Sequence, residues 1–139
     1  MITLKDYLGR HAQSAASELN DAIVVNANVL LDRVNKLLAE IAKLGILPGI
    51  NPATGNAISS GWRPPSYNAK VANAAAKSKH MTGHAIDLYD PEGDLDDYLN
   101  HNLHLLKQFG LYIEHPAATK NWCHLQSVAP KSGNRVFYP

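Results

Sequence analysis

The sequence predicts an α+β domain: a small antiparallel sheet packed by a long N-terminal helix and by further helices. Three observations carry this. Between Ile23 and Leu44 apolar residues recur at alternating steps of four and three, the spacing of one helix face. Downstream, short apolar and aromatic runs at 57–62, 85–89, 111–114 and 122–126 stand between Pro-, Gly- and Asn-rich segments, the pattern of strands joined by turns. The chain has 139 residues, enough for one domain with one core, so a single domain over 1–139 is expected, with its chemistry between about 58 and 126.

Taken in order, Thr3 is placed to cap a short helix over 3–12, with Asp6 at its third position and Gly9 working against it. Residues 13–21 are small and polar. The long helix, about 22–44, carries Ile23, Ala27, Leu30, Val34, Leu37, Ile41 and Leu44 on one face, widened by Val24, Leu31 and Leu38. Asp32, Arg33, Lys36, Glu40 and Lys43 take the other side, and Asp32 and Lys36 form an i,i+4 pair. Gly45 and Pro48 end it. That stripe suits packing on the sheet, or pairing with a second copy in a coiled-coil homo-oligomer.

Residues 47–56 form a loop by composition. The strand at 57–62 ends at Pro64-Pro65, and 66–76 reads as a small helix. The central strand, 85–89, follows a Gly-containing loop. Asp90-Pro91-Glu92-Gly93-Asp94 is a turn, and Asp94 is placed to cap a helix whose apolar positions run from Leu95 to Phe109. Gly110 closes it. The strands 111–114 and 122–126 form an antiparallel hairpin across a turn at 116–121. The tail from Ala129 to Pro139 falls into no element.

Composition excludes several classes. Thirteen Lys and Arg against twelve Asp and Glu give a net charge of +1, so nothing suggests the basic face that nucleic acid would need. One cysteine allows no internal disulfide. The N-terminus lacks a basic region followed by an apolar core, and no window approaches the ~20 apolar residues of a membrane span. The expectation is a protein made in a cytoplasm, without nucleic-acid or membrane partners.

The chemistry centres on Ser78-Lys79-His80-Met81-Thr82-Gly83-His84-Ala85-Ile86-Asp87. Asp87 sits on the central strand, and His80 on the loop that leads into it. Both are good ligands for a divalent metal such as zinc, and His124 is the best third. Two histidines and a carboxylate leave a coordination position for water, the pattern of catalytic rather than structural zinc sites. His80 and His84 are four apart, but Met81 stands where a zincin helix has Glu, and Gly83 disfavours helix. His101 and His104 suit a solvated helix face. Cys123 neighbours His124 but points to the opposite face of its strand, which argues against a Cys/His dyad. Arg63, between a strand and two prolines, is suited to binding a carboxylate or steadying an oxyanion. Glu114 is the carboxylate nearest in sequence to His124. It shares the face of His124 if it pairs opposite Trp122, and not if it pairs opposite Cys123. His115 is the fallback.

Ser78, His80, Gly83, Ala85 and Asp87, followed by Trp122 and His124, resemble the motif of the M15 zinc peptidases, and Ser60-Gly61-Trp62-Arg63-Pro64-Pro65-Ser66-Tyr67-Asn68 resembles the family's upstream arginine segment. The likeness runs from about Ile58 to Gln126. It implies a Zn2+ ion on His80, Asp87 and His124, with Arg63 and Ser78 on substrate. It also implies a carboxypeptidase or endopeptidase acting on peptidoglycan stem peptides, as phage lysins do. Wall substrate would then be reached after release from the cell that makes the protein. Many members carry an acidic base three residues before the last histidine. Asn121 stands there in this chain and takes no proton. This leaves Glu114 as the expected base, with an inactive wall-binding or phage structural module as the alternative.

Overall fold

Strand alternation sorts the sheet into apolar and polar rungs, and this places the site. The computed structural model describes all residues, Met1–Pro139. Its strands are β1 (Ile58–Ser60), β2 (Ala85–Asp90), β3 (Tyr112–Glu114), β4 (Asn121–Gln126) and β5 (Val136–Phe137), in the order β1-β2-β4-β3-β5. The first four pair antiparallel, while β5 runs parallel to β3. The sheet is therefore mixed, correcting the all-antiparallel expectation, and the unassigned tail supplies its edge. Two residues are too short a run to show alternation, so nothing in the sequence marked β5.

One rung joins Ile86, Leu125, Ile113 and Val136 across four strands. The first three are fully buried, and all four pack in one core with Leu88, Leu95, Leu99 and Leu106. The next rung carries Ser60, Asp87 and His124. Continuing the β3–β4 register brings Glu114 opposite His124, and Phe137 lies opposite Glu114. Side chains on neighbouring rungs point to opposite faces, so the polar row looks away from the core.

The long helix α3 spans Asp21–Ala42, with the Asn20 side chain accepting from the Ile23 amide at 2.9 Å as its N-cap. Ile23, Ala27, Leu30, Val34, Leu37 and Ile41 are all buried inside the monomer, so the stripe is taken up by this chain's own core. Leu44, expected at its end, lies beyond the helix and is exposed.

The shorter helices differ from expectation for local reasons. Thr3 and Asp6 do form a capping box, but Gly9 ends α1 (Leu4–Leu8), and α2 (His11–Ser14) starts afresh. The segment at 66–76 keeps one helical turn, α4 (Pro65–Asn68). The helix expected from Asp94 to Phe109 is two, α5 (Asp94–Asn100) and α6 (Leu103–Phe109). At the break, the Asn100 and Asn102 side chains donate to the carbonyls of Asp96 and Tyr98, capturing backbone acceptors near the end of α5. The N-cap position of α5 is Gly93 rather than Asp94, and the first-turn amides are satisfied by Asp90. Both carboxylate oxygens of Asp90 accept backbone amides, from Leu95 and Asp96.

Gly61 sits where the N-terminal segment crosses the end of β1. A Cβ there would lie 2.0 Å from the Tyr7 carbonyl oxygen. Tyr7 is itself fixed: its carbonyl accepts from Trp62 N–H (3.0 Å) and its hydroxyl donates to the Ala85 carbonyl (2.9 Å). Backbone that is pinned in this way cannot retreat. Gly61→Ala is expected to destabilise the fold by about 3 kcal/mol. Urea unfolding in the presence of chelator measures it, and an unchanged midpoint would refute the packing argument.

Candidate metal centre

Asp87 and His124 face each other directly across β2 and β4, with His124 Nδ1 2.7 Å from Asp87 Oδ1. His80 reaches the same carboxylate from the loop before β2, its Nε2 3.3 Å from Asp87 Oδ2. That loop is shaped by Gly83, whose φ of +81° belongs to the left-handed region; a Cβ there would come 2.6 Å from the Ile23 carbonyl on α3. The Ser78 hydroxyl accepts from the His80 amide at 3.3 Å. All three residues are buried, and their ligand atoms lie within 4.8 Å of one another.

The ring tautomers are fixed from outside the cluster. A carbonyl oxygen can only accept, so His80 Nδ1 carries a proton and donates to Gly61 O at 2.9 Å. Gln126 donates its amide N–H to the Val128 carbonyl (2.8 Å), which turns its oxygen toward His124 Nε2 at 3.1 Å. His124 therefore carries its proton on Nε2. The remaining nitrogens, His80 Nε2 and His124 Nδ1, present lone pairs to a carboxylate. Three acceptors so placed need positive charge among them, supplied either by a further proton on each ring or by one metal ion. Tetrahedral zinc ligands at about 2.0 Å from the ion stand about 3.3 Å apart, close to the spacings here. The residues fit a divalent metal, held by His80 Nε2, Asp87 and His124 Nδ1, with Gly61 and Gln126 orienting the rings.

The electrostatics agree with a site built for a cation. Burial pushes the Asp87 carboxyl up, but the His80 and His124 rings outweigh it and hold the group well below the usual carboxylate range. Burial pushes the His124 ring down, yet its bond to Asp87 and the charges of Asp87 and Glu114 leave its pKa raised. A raised folded-state pKa contributes stability that is fully present below the unfolded value of about 6.5 and is lost as pH rises through the folded value. A bound metal needs the unprotonated ring, so its stabilisation grows with pH. The difference in Tm between zinc-loaded and chelated protein is expected to widen from pH 6 to 8 in thermal scans. A constant or shrinking difference would contradict this.

Around the three ligands, Glu114 brings Oε2 to 3.6 Å from His124 Nδ1. Its register parity is the one that puts it on the face of His124. Arg63 is nearly buried, with Nη1 donating to Asn68 Oδ1 (3.1 Å), Nη2 to Ser60 Oγ (3.2 Å), and Nη2 also 4.0 Å from Asp87 Oδ2. Phe137 sets its ring edge-on to His124 at 6.0 Å. The fallback residue His115 is engaged elsewhere, stacked on Tyr138 with Nδ1 accepting from Ala117 N–H. Asn121 is exposed at the far end of β4, opposite Asp90. Cys123 is fully buried on the other face, where burial pushes its thiol well up in pKa. His84 bonds Thr82 Oγ1, and His101 and His104 are exposed.

Sequence reasoning missed four contributors. Gln126 had a signal, being two residues from His124 on the same strand face. Ser60 lay within the motif without a role. Gly61, whose carbonyl fixes the His80 ring, also lay within the motif without a role, and Phe137 lies far from it in sequence and had no signal. Compared with family models, curated proteins and solved structures, the chain matches none of them. No helix is long and apolar enough to cross a membrane.

Proposed function

We propose that the protein is a zinc-dependent peptidase acting on peptidoglycan stem peptides. The observation that carries the reading is the pair of imidazole lone pairs fixed on one carboxylate, with a second carboxylate and a guanidinium bordering the same cluster. The substrate class comes from the resemblance of Ser60–Asn68, Ser78–Asp87 and Trp122–His124 to M15 peptidases. When bound, zinc supplies Lewis acidity and lowers the pKa of an attacking water. Glu114 would accept a proton from the attacking water and pass it to the leaving amine. Burial raises the Glu114 carboxyl, with the His124 ring pulling it part of the way back, a direction that makes it a stronger proton acceptor. Arg63, held by Asn68 and Ser60, stabilises the developing oxyanion or fixes a substrate carboxylate. Ser78 steadies the His80 loop, and the resemblance puts its hydroxyl on substrate.

The test is digestion of defined muropeptides by protein carrying about one zinc per chain, with fragments read by mass spectrometry. New amino termini within the stem peptide are expected. Absence of cleavage across walls of differing chemistry would overturn the reading. The alternative is a wall-binding or phage structural module, and wall pull-down without cleavage by zinc-loaded protein is its signature.

A further inference from the structure

A cavity of about 530 Å³ opens along β1, the edge strand, and shares Ser60, Gly61 and Arg63 with the metal centre. Its other wall comes from the N-terminal segment, through Lys5, Arg10 and His11. These residues lie outside the stretch that carries the family resemblance.

The lining is cationic. Lys5, Arg10 and Arg63 face one carboxylate, Asp6, which is already committed: it accepts from the backbone N–H and the hydroxyl of Thr3. None of the chain's ion pairs involves Lys5 or Arg10, and the only one made by Arg63 is its 4.0 Å contact with Asp87. Arg10 is oriented without being neutralised. Its Nη2 donates to the Tyr67 hydroxyl at 3.3 Å, and the guanidinium lies over the Tyr67 ring at 5.4 Å. Tyr67 in turn packs on His11, with ring centroids 4.5 Å apart. The His11 ring senses the field: burial first, then Arg10 and Arg63, lower its pKa, against a smaller upward pull from Glu18. An aromatic brace under an unpaired guanidinium, with a second guanidinium in the same cavity lining, is suited to a carboxylate.

We propose that Arg10, braced by Tyr67 and working with Arg63, forms a carboxylate subsite that holds an acidic peptide along β1 with its scissile bond at the His80–Asp87–His124 centre. The peptide occupant rests on the peptidase reading above; the preference for a carboxylate rests on the cavity alone.

The probe is a synthetic stem tetrapeptide with free carboxylates, compared with its fully amidated form. The two have nearly the same shape and differ in charge. Binding is measured by calorimetry on chelated protein, so that no metal can bind the carboxylates. The acid form is expected to bind about tenfold more tightly. That advantage should vanish in Arg10→Ala, persist in part in Arg10→Lys, and weaken in Tyr67→Phe, which keeps the ring and removes the orienting hydroxyl. Equal binding of the two forms, no binding of either, or an advantage unchanged in Arg10→Ala would overturn the subsite. The two readings fail separately. Zinc-loaded protein that prefers the acid form but cleaves nothing keeps the subsite and loses the peptidase. Cleavage with equal KM for acid and amide substrates does the reverse.

Discussion

Asp87→Ala is expected to abolish stoichiometric metal binding. Asp87 is the hub of the cluster: one oxygen faces His124 Nδ1 at 2.7 Å and the other faces His80 Nε2 at 3.3 Å. It is also the only carboxylate of the three ligands, so its loss leaves two neutral rings to hold a dication. Loss of a residue that merely orients a ligand weakens metal binding by about 10–100-fold. Loss of the charged ligand must cost more, so the affinity should fall by more than about 100-fold. Metal content measured by mass spectrometry on protein purified without a tag should drop from about one zinc per chain to a trace. Gln126→Ala provides the graded comparison. It removes the acceptor that keeps the proton on His124 Nε2, and about 10–100-fold is expected there. If wild type takes up no zinc even after incubation, the cluster is a protonated hydrogen-bond network and the metal reading ends.

Glu114→Gln is expected to keep the metal and remove the activity. The amide fills the same space next to His124 but cannot take a proton. A lost general base lowers kcat by about 10²–10⁴-fold, while zinc content should match wild type, because Glu114 is not among the three candidate ligands. A variant with kcat near wild type would move the base elsewhere. His115 is poorly placed to replace it, being stacked on Tyr138 and bonded to Ala117.

The candidate ligands were legible in the sequence, chiefly through the motif resemblance: two of them are close in the chain and the third follows a tryptophan in a strand-like run. His80 and Asp87 are brought together by one glycine-containing loop, which local pattern can describe. Glu114 was named from the sequence, but its face was not legible. Its face depends on how many residues the β3–β4 turn consumes, and that turn is built from a 3-10 segment, Pro116–Ala118, with Asn121 at a φ of +75°. Pattern does not fix such a count. The α5–α6 break was hidden for a different reason. Leu95, Leu99, Leu103 and Leu106 keep helical spacing across it, while the interruption comes from two asparagines that seize carbonyls. The role of Gly61 was invisible because the backbone it accommodates, at Tyr7, is more than fifty positions away.

The polar rung and the apolar rung beside it are set by one register, and this ties the fate of the centre to that of the sheet. Slipping β4 by a single residue against β2 would turn His124 into the core and push Leu125 out to solvent. The penalty for that error is hydrophobic and is levied before any ion arrives. Folding therefore proofreads the centre: a molecule that has sealed its core has already lined up Asp87, His124 and Glu114. Any metal that binds there meets a finished cradle and is not asked to build one.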